Sequence, residues 1–205
     1  MIVQGSEEWL LQRVGNFTAS RIADLMAKTK SGPSTSRANM IATLVVERIT
    51  GKPVDTYKNA AMQRGTELEP QARDAYAFEF GVTIEEVGYI EHPRIARVGC
   101  SPDGIVGKGL VEIKCPSAMG KHLDAIRFGS HAREYKWQLQ HQLFVTGKEW
   151  VDAVSYHPDF PENMQLAVVR VVPDQESFEK IETEITIAES EIQFIIEELL
   201  NVKRP

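Results

Sequence analysis

The stretch from Cys100 to Pro116 constrains the fold most. Two short β-prone runs, 103–106 (Asp-Gly-Ile-Val) and 110–114 (Leu-Val-Glu-Ile-Lys), flank Gly107-Lys108-Gly109. Short apolar runs joined by a glycine-containing turn predict an antiparallel hairpin. Side chains alternate faces along a strand, so Glu112 and Lys114 share one face while Val111 and Ile113 point to the core. The tight turn returns the chain so that Asp103 comes near Glu112. Two carboxylates and an ammonium are thereby expected to converge at a sheet edge.

The remaining segments supply helices and more strands. Ser6 is expected to cap a helix running through Arg13 and ended by Gly15, and Thr18 to cap a second from Ala19 to about Ala27. Residues 30–37 (Lys-Ser-Gly-Pro-Ser-Thr-Ser-Arg) read as a loop. Met40–Ile49 reads as a helix closed by Gly51 and Pro53. Asn59–Phe80 is helical in pattern, with a break or kink expected near Glu69 because Pro70 fits best in a first turn. Residues 82–90 and 95–99 read as strands, Glu134–Val145 as a helix, and 150–156 and 165–172 as strands. The last segment, about 174–201, aligns Ile181, Ile185, Ala188, Ile192, Ile195, Ile196 and Leu199 on one helical stripe. This order predicts an α/β domain with a central mixed β-sheet flanked by helices. At 205 residues, without repeat or linker, one domain spanning residues 1–205 is expected, with the final helix as a cover.

No apolar run approaches the ~18 residues that span a membrane. Glu7 and Glu8 stand where an export signal needs basic and then apolar residues. The two cysteines, Cys100 and Cys115, match neither a zinc spacing nor a disulfide framework. A cytoplasmic location is expected, with packed thiols, and none of the five scattered histidines has metal-ligand spacing. The net charge of −6 is unevenly placed: residues 174–205 carry nine acidic and three basic groups, whereas residues 11–40 set Arg13, Arg21, Lys28, Lys30 and Arg37 against Asp24 alone. A polyanion is therefore admissible as a ligand of the N-terminal region, where solvated surface charge is the other reading.

Asp103, Glu112 and Lys114 suit phosphodiester hydrolysis. Carboxylate oxygens favour hard cations such as Mg²⁺ or Mn²⁺. Such ions activate water and neutralise charge on the phosphorane and the leaving oxygen. Lys114 can orient the water or stabilise developing charge. A surface hairpin carrying a Glu–Lys pair has the same local sequence. Arg13 and the Thr18-Ala19-Ser20 segment form a second candidate site. A guanidinium fork beside a helix N-terminus and a hydroxyl makes an anion pocket. A Thr cap beside a surface arginine is the plainer alternative.

Cys-Ser-Pro-Asp-Gly (100–104) followed by Leu-Val-Glu-Ile-Lys-Cys-Pro (110–116) resembles the active-site hairpin of the lambda-exonuclease-like branch of the PD-(D/E)xK nucleases. Further blocks follow the order of that family: Trp9, Arg13, Gly15, Thr18, Ala19 and Ser20; Gly65, Glu69, Ala72 and Arg73; Gln138 and Gln140; and Val145-Thr146 with Lys148. The resemblance implies a restriction-endonuclease-like core. It implies Asp103, Glu112 and the Ile113 carbonyl as Mg²⁺ ligands (Mn²⁺ as a substitute), with Glu69 as the third catalytic carboxylate near a second ion. It also implies Lys114 as the water-positioning group and Gln138 as a supporting residue.

By the same resemblance, Arg13 and Ser20, with Thr18, hold a 5′-phosphate, and Met62 is a wedge that splits terminal base pairs. Lys30 and Arg37 are placed to touch the DNA backbone. The activity implied is 5′-to-3′ digestion of one strand of linear duplex DNA to mononucleotides, leaving 3′ overhangs for strand annealing. A homotrimeric ring, a single-strand annealing partner and a phage or prophage origin are implied likewise. Glu69 with Arg73 also reads as a helical i,i+4 pair, and Met62 as a core methionine. A PD-(D/E)xK endonuclease and a catalytically weak DNA-end-binding scaffold are the alternative functions.

Overall fold

The hairpin forms at one end of a sheet, its first strand at the edge and its second between two neighbours. The computed structural model describes residues 2–30, 32–54 and 60–202. Its first part comprises α1 (Glu7–Arg13), β1 (Phe17–Thr18), α2 (Ile22–Met26), β2 (Lys28–Thr29), β3 (Gly32–Pro33), α3 (Thr35–Thr50) and α4 (Ala60–Phe80). Then follow β4 (Ile90–Glu91), β5 (Val98–Cys100), β6 (Gly104–Val106), β7 (Gly109–Lys114), α5 (Met119–Phe128), α6 (Ser130–Glu134) and α7 (Lys136–Thr146). The chain closes with β8 (Trp150–Tyr156), β9 (Leu166–Val171) and α8 (Gln175–Asn201).

The main sheet has the order β6-β7-β8-β9. β7 and β8 are parallel, and the outer pairs are antiparallel. This is the mixed sheet between helices that the sequence predicts. Burying β7 between two strands satisfies its backbone on both sides. Its side chains alternate as expected, yet both faces are covered. Val111 and Ile113 pack with Ala72 and Tyr76 of α4, while Leu110 packs with Leu139 and Leu143 of α7. Glu112 therefore faces a helix rather than solvent. Gly109 is required at the start of β7, because a Cβ there would lie 2.2 Å from the Trp150 ring.

A second small sheet, β1-β5-β4, belongs to the cluster built by α2, α3 and α8. The C-terminal stripe supplies Ile181, Ile185, Ala188 and Ile192 to this cluster. The two charge zones of the sequence meet here. Lys28 pairs with Glu184 at 2.7 Å, Arg37 with Glu191 at 2.8 Å and Arg48 with Glu189 at 2.7 Å.

Several local expectations are corrected. Thr18 is not a helix cap: it lies in β1 opposite Gly99, and its backbone serves strand pairing. The helix after it, α2, is only five residues long and has no side-chain cap. Residues 30–37 are not a plain loop. Lys28 pairs with Pro33 in a ribbon, and Ser34 caps α3 by accepting from the Arg37 N–H at 3.1 Å; Ser31 lies outside the described residues. The helix expected from Asn59, itself outside them, is observed from Ala60 and runs unbroken through Pro70. Leu68 and Ala72, Ala75 and Tyr76 pack the same cluster on both sides of the proline, and that packing holds one helix through it. Of residues 82–90, Glu85 makes an isolated bridge to Ile105, and Ile90 begins β4. The expected 134–145 helix divides at Tyr135 into α6 and α7, and α5 was not foreseen. Among the described residues, no helix is long and apolar enough to cross a membrane.

Candidate active site

The candidate chemistry gathers where β7 ends. Asp103, just before β6, donates its backbone N–H to Val111 O at 3.1 Å and accepts the Ile113 N–H on Oδ2 at 2.6 Å. Hairpin register thus fixes the Asp103 carboxylate against the far strand. Glu112 is 3% exposed. Its Oε1 accepts from Lys114 Nζ at 2.6 Å and from Gln138 Nε2 at 2.5 Å, and its Oε2 accepts from Gln142 Nε2 at 2.5 Å. Lys114 Nζ also lies 4.8 Å from the centroid of the Tyr135 ring, within cation–π range. Glu69, on α4, accepts from Arg73 at 2.6 Å, and Arg73 reaches on to Glu86 at 2.6 Å. The helical pairing and the placement near the hairpin therefore coexist.

Glu69, Asp103, Ile113 and Lys114 line a cleft of about 790 Å³, with Met62 and Gly65 on the α4 wall and Tyr135 opposite. Glu112 lies behind them. Burial pushes the Asp103 carboxyl well above the ordinary carboxylate range, and the charges of Glu112 and Glu69 add to it. Glu69 is raised by burial against the pull of Arg73, with Glu112 contributing. Burial alone would lower Lys114, but Glu112 and Asp103 outweigh it and keep the ammonium charged above its ordinary value. Glu69, Asp103 and Glu112 crowd about Lys114, and Arg73 divides its charge between Glu69 and Glu86, an arrangement that favours added positive charge.

A second cluster adjoins the first. Arg13 stacks 4.0 Å from the Trp9 ring centroid. It donates to Ser20 Oγ at 2.9 Å and to Ser101 Oγ at 3.4 Å. Trp9 Nε1 donates to the same Ser101 oxygen at 3.0 Å, and Thr18 Oγ1 lies 3.4 Å from Ser20 Oγ. Burial, then the charge of Arg21, lowers Arg13 to about 10. Among the described residues Arg13 has no carboxylate partner. The anion-pocket reading therefore rests on side chains, because the helix N-terminus expected to contribute is not there.

Ser101 joins the two clusters, since Pro102 alone separates it from Asp103. Sequence reasoning missed it, although it lies inside the quoted hairpin motif. Gln142 was missed as well; its signal is the spacing of one helical turn from Gln138. Met62 is 56% exposed on the cleft wall, so the core reading of it fails. Lys30 is exposed in the turn after β2. Arg37 is 8% exposed and paired with Glu191, so its charge is engaged within the fold. Gln140 ties α7 to the start of α8 by bonding Val172 O and the Asp174 N–H, both at 2.9 Å. All five histidines are buried.

Three comparisons bear on this arrangement. The model of a family described as the YqaJ-like viral recombinase domain matches residues 8–149. The chain is 45% identical to LHK-Exo, an alkaline exonuclease from Laribacter hongkongensis, over 95% of this chain and 96% of that one. The TM-score is 0.86, and it is 0.87 for the same protein in complex with dAMP. A phage-related exonuclease from Haemophilus somnus 129PT shares the fold at 15% identity, with a TM-score of 0.76 over 90% of this chain and 96% of that one. No curated protein matches.

Proposed function

The chain belongs to the YqaJ-like viral recombinase family, and from that premise we propose that it is a metal-dependent 5′-to-3′ exonuclease acting on duplex DNA ends. A nuclease role is what the family and the 45% identical alkaline exonuclease support. The observation that carries the finer reading is the junction at Ser101-Pro102-Asp103. It sets an arginine bonded to hydroxyls rather than to a carboxylate directly beside the carboxylate cluster.

The residues present fit a hard divalent cation. Among the described residues no three His, Cys, Asp or Glu side chains close into an all-protein metal centre. Mg²⁺ does not need one, since it keeps several waters and takes one or two carboxylates. Asp103, Glu112 and the Ile113 carbonyl would hold one ion, and Glu69 a second. Cys115 also lines the cleft, but burial pushes its thiol up to about 11, so it offers no thiolate. When bound, the ions supply an activated water and charge neutralisation at the phosphate.

The protein's own groups position the substrate. The Arg13 fork binds two oxygens of the terminal 5′-phosphate, with Ser20 and Ser101 as hydroxyl donors and Thr18 behind them. Lys114, held charged, donates to the attacking water or to the oxygen that gains charge. Gln138 steadies Glu112. Met62 presses on the terminal bases, and Lys30 contacts the backbone. Each cut creates a new 5′-phosphate that refills the pocket, which gives the enzyme its direction. Release of mononucleotides, 3′ overhangs for a single-strand annealing partner, a homotrimeric ring, a single nuclease domain over residues 1–205 and action in the cytoplasm of a phage host complete the proposal.

The test is a blunt linear duplex labelled separately at its 5′ and its 3′ ends, with Mg²⁺, with Mn²⁺ and with EDTA. Metal-dependent release of 5′ mononucleotides, slowed by a 5′-hydroxyl end and abolished in Lys114→Ala, is expected. Cutting of circular duplex, or equal loss from 3′ ends, overturns the polarity and the end pocket.

A further inference from the structure

Resting on the reading of Glu112 as a metal ligand, we infer that Gln142 is a positioning residue for that carboxylate. It acts together with Gln138 as a two-amide clamp. The two glutamines are four residues apart on α7, so both reach from the same helical face. Gln138 Nε2 takes Oε1 of Glu112, and Gln142 Nε2 takes Oε2, each at 2.5 Å. Both oxygens are gripped from one helix, which fixes the plane of the carboxylate and the lone pairs left for an ion.

The amide orientation of Gln142 follows from its partner. An ionised carboxylate only accepts, so turning the amide over would set oxygen against oxygen. One consequence is a buried polar atom without a partner: Gln142 is wholly buried, and its Oε1 has no donor among the described residues. Its neighbours Leu139 and Leu143 fill the same helix with apolar side chains. A methionine of similar size would pack there with no orphaned oxygen. Packing therefore does not account for this glutamine, and its grip on Glu112 does. Groups that orient a metal-ligating carboxylate set the affinity of the site without touching the ion.

The test is Mn²⁺ binding to the full chain without DNA, by electron paramagnetic resonance or calorimetry. Gln142→Met is expected to weaken Mn²⁺ by roughly 10- to 100-fold with the near-UV dichroism of the parent retained. Leu143→Met, equally buried on α7, is expected to leave Mn²⁺ affinity unchanged, and Glu112→Gln to lose binding. If Glu112→Gln binds like the parent, the metal-site reading falls and takes this inference with it. If Glu112→Gln fails to bind while Gln142→Met binds as the parent does, the positioning role alone is overturned. Equal weakening by Leu143→Met also overturns it, since general packing would then be the cause. Should Gln142→Met not fold, Gln142→Asn carries the same test, because its amide is one methylene too short to reach Oε2.

Discussion

Arg13 holds its charge beside another arginine, stacked on Trp9 and bonded to hydroxyls rather than to a carboxylate. A cation in that setting gains most from an incoming dianion. Lysine at this position keeps the charge but loses the fork. Arg13→Lys is expected to reduce the preference for 5′-phosphorylated over 5′-hydroxyl ends by roughly tenfold, about one charge-assisted hydrogen bond, and to leave Mn²⁺ affinity at the parent value. Competition between the two labelled ends in one reaction checks both the direction and the size.

Residues differ in how legible they are, and the cause is sequence distance. Asp103, Glu112 and Lys114 lie within one hairpin whose turn brings its strands together, so local sequence suffices to place them. Arg37 looks like an available cation until α8 brings Glu191 to it from 154 residues away. Gln142 meets Glu112 only through the rotation of α7 against β7, which no local pattern specifies.

At the level of elements, α7 is tied to β5 through His141. Its Nε2 donates to Gly99 O at 3.2 Å, and burial lowers the ring to about 4. The folded state therefore holds His141 neutral, while the unfolded chain protonates it near the ordinary 6.5. The unfolded state binds more protons below that value. Stability is full above pH 6.5 and declines as pH falls toward 4. At pH 5 this one group removes about 2 kcal/mol. His92, His122 and His131 are lowered in the same sense, mainly by burial. Urea midpoints are expected to fall between pH 7 and pH 5, and His141→Gln is expected to flatten the fall. Asp103 and Glu69, raised by burial, act in the opposite sense, so an equal pH dependence of the parent and His141→Gln is the result that contradicts the assignment.

α4 teaches a second lesson at this scale. Pro70 is read from sequence as a boundary, but tertiary packing of Tyr76 and Ala72 outweighs the lost hydrogen bond. Pro70→Ala restores that bond, partly offset by a freer unfolded chain, and is expected to stabilise the protein by about 2 kcal/mol in denaturant unfolding. The cap of α1, by contrast, was signalled locally by Ser6, whereas Ser34, the cap of α3, was read as loop; the period-two runs marked β7, β8 and β9. The short strands β1, β4 and β5 were illegible or misplaced because two- or three-residue strands exist only through their partners.

Over the whole molecule, the basic N-terminal segment and the acidic C-terminal helix neutralise each other across the α3–α8 contact. Arg48, just beyond that segment, is the most engaged cation of this contact: it binds both oxygens of Glu189 and donates to Gly15 O. Its side chain is 5% exposed, so Arg48→Ala leaves Glu189 half-buried without its partner and is expected to cost about 2–3 kcal/mol in denaturant unfolding. The same pairing decides how the protein meets DNA. Lys28 and Arg37 are paired to α8, Arg21 to Glu47 and Lys121 to Glu134. Among the described residues Arg13 and Lys30 remain at the proposed interface, with Arg64, which bonds the carbonyls of Cys115 and Pro116 at the cleft. About three phosphate contacts per chain give a log–log salt slope near −3. That is shallow for a DNA-binding protein and suits recognition of an end rather than of a long duplex. Removing Arg13 is expected to reduce the slope by about one. Anisotropy titrations of a 5′-phosphorylated duplex, with Ca²⁺ replacing Mg²⁺, measure both quantities. A slope of about −8 per chain would mean that the duplex lies on a cationic surface other than the Arg13 pocket and the cleft.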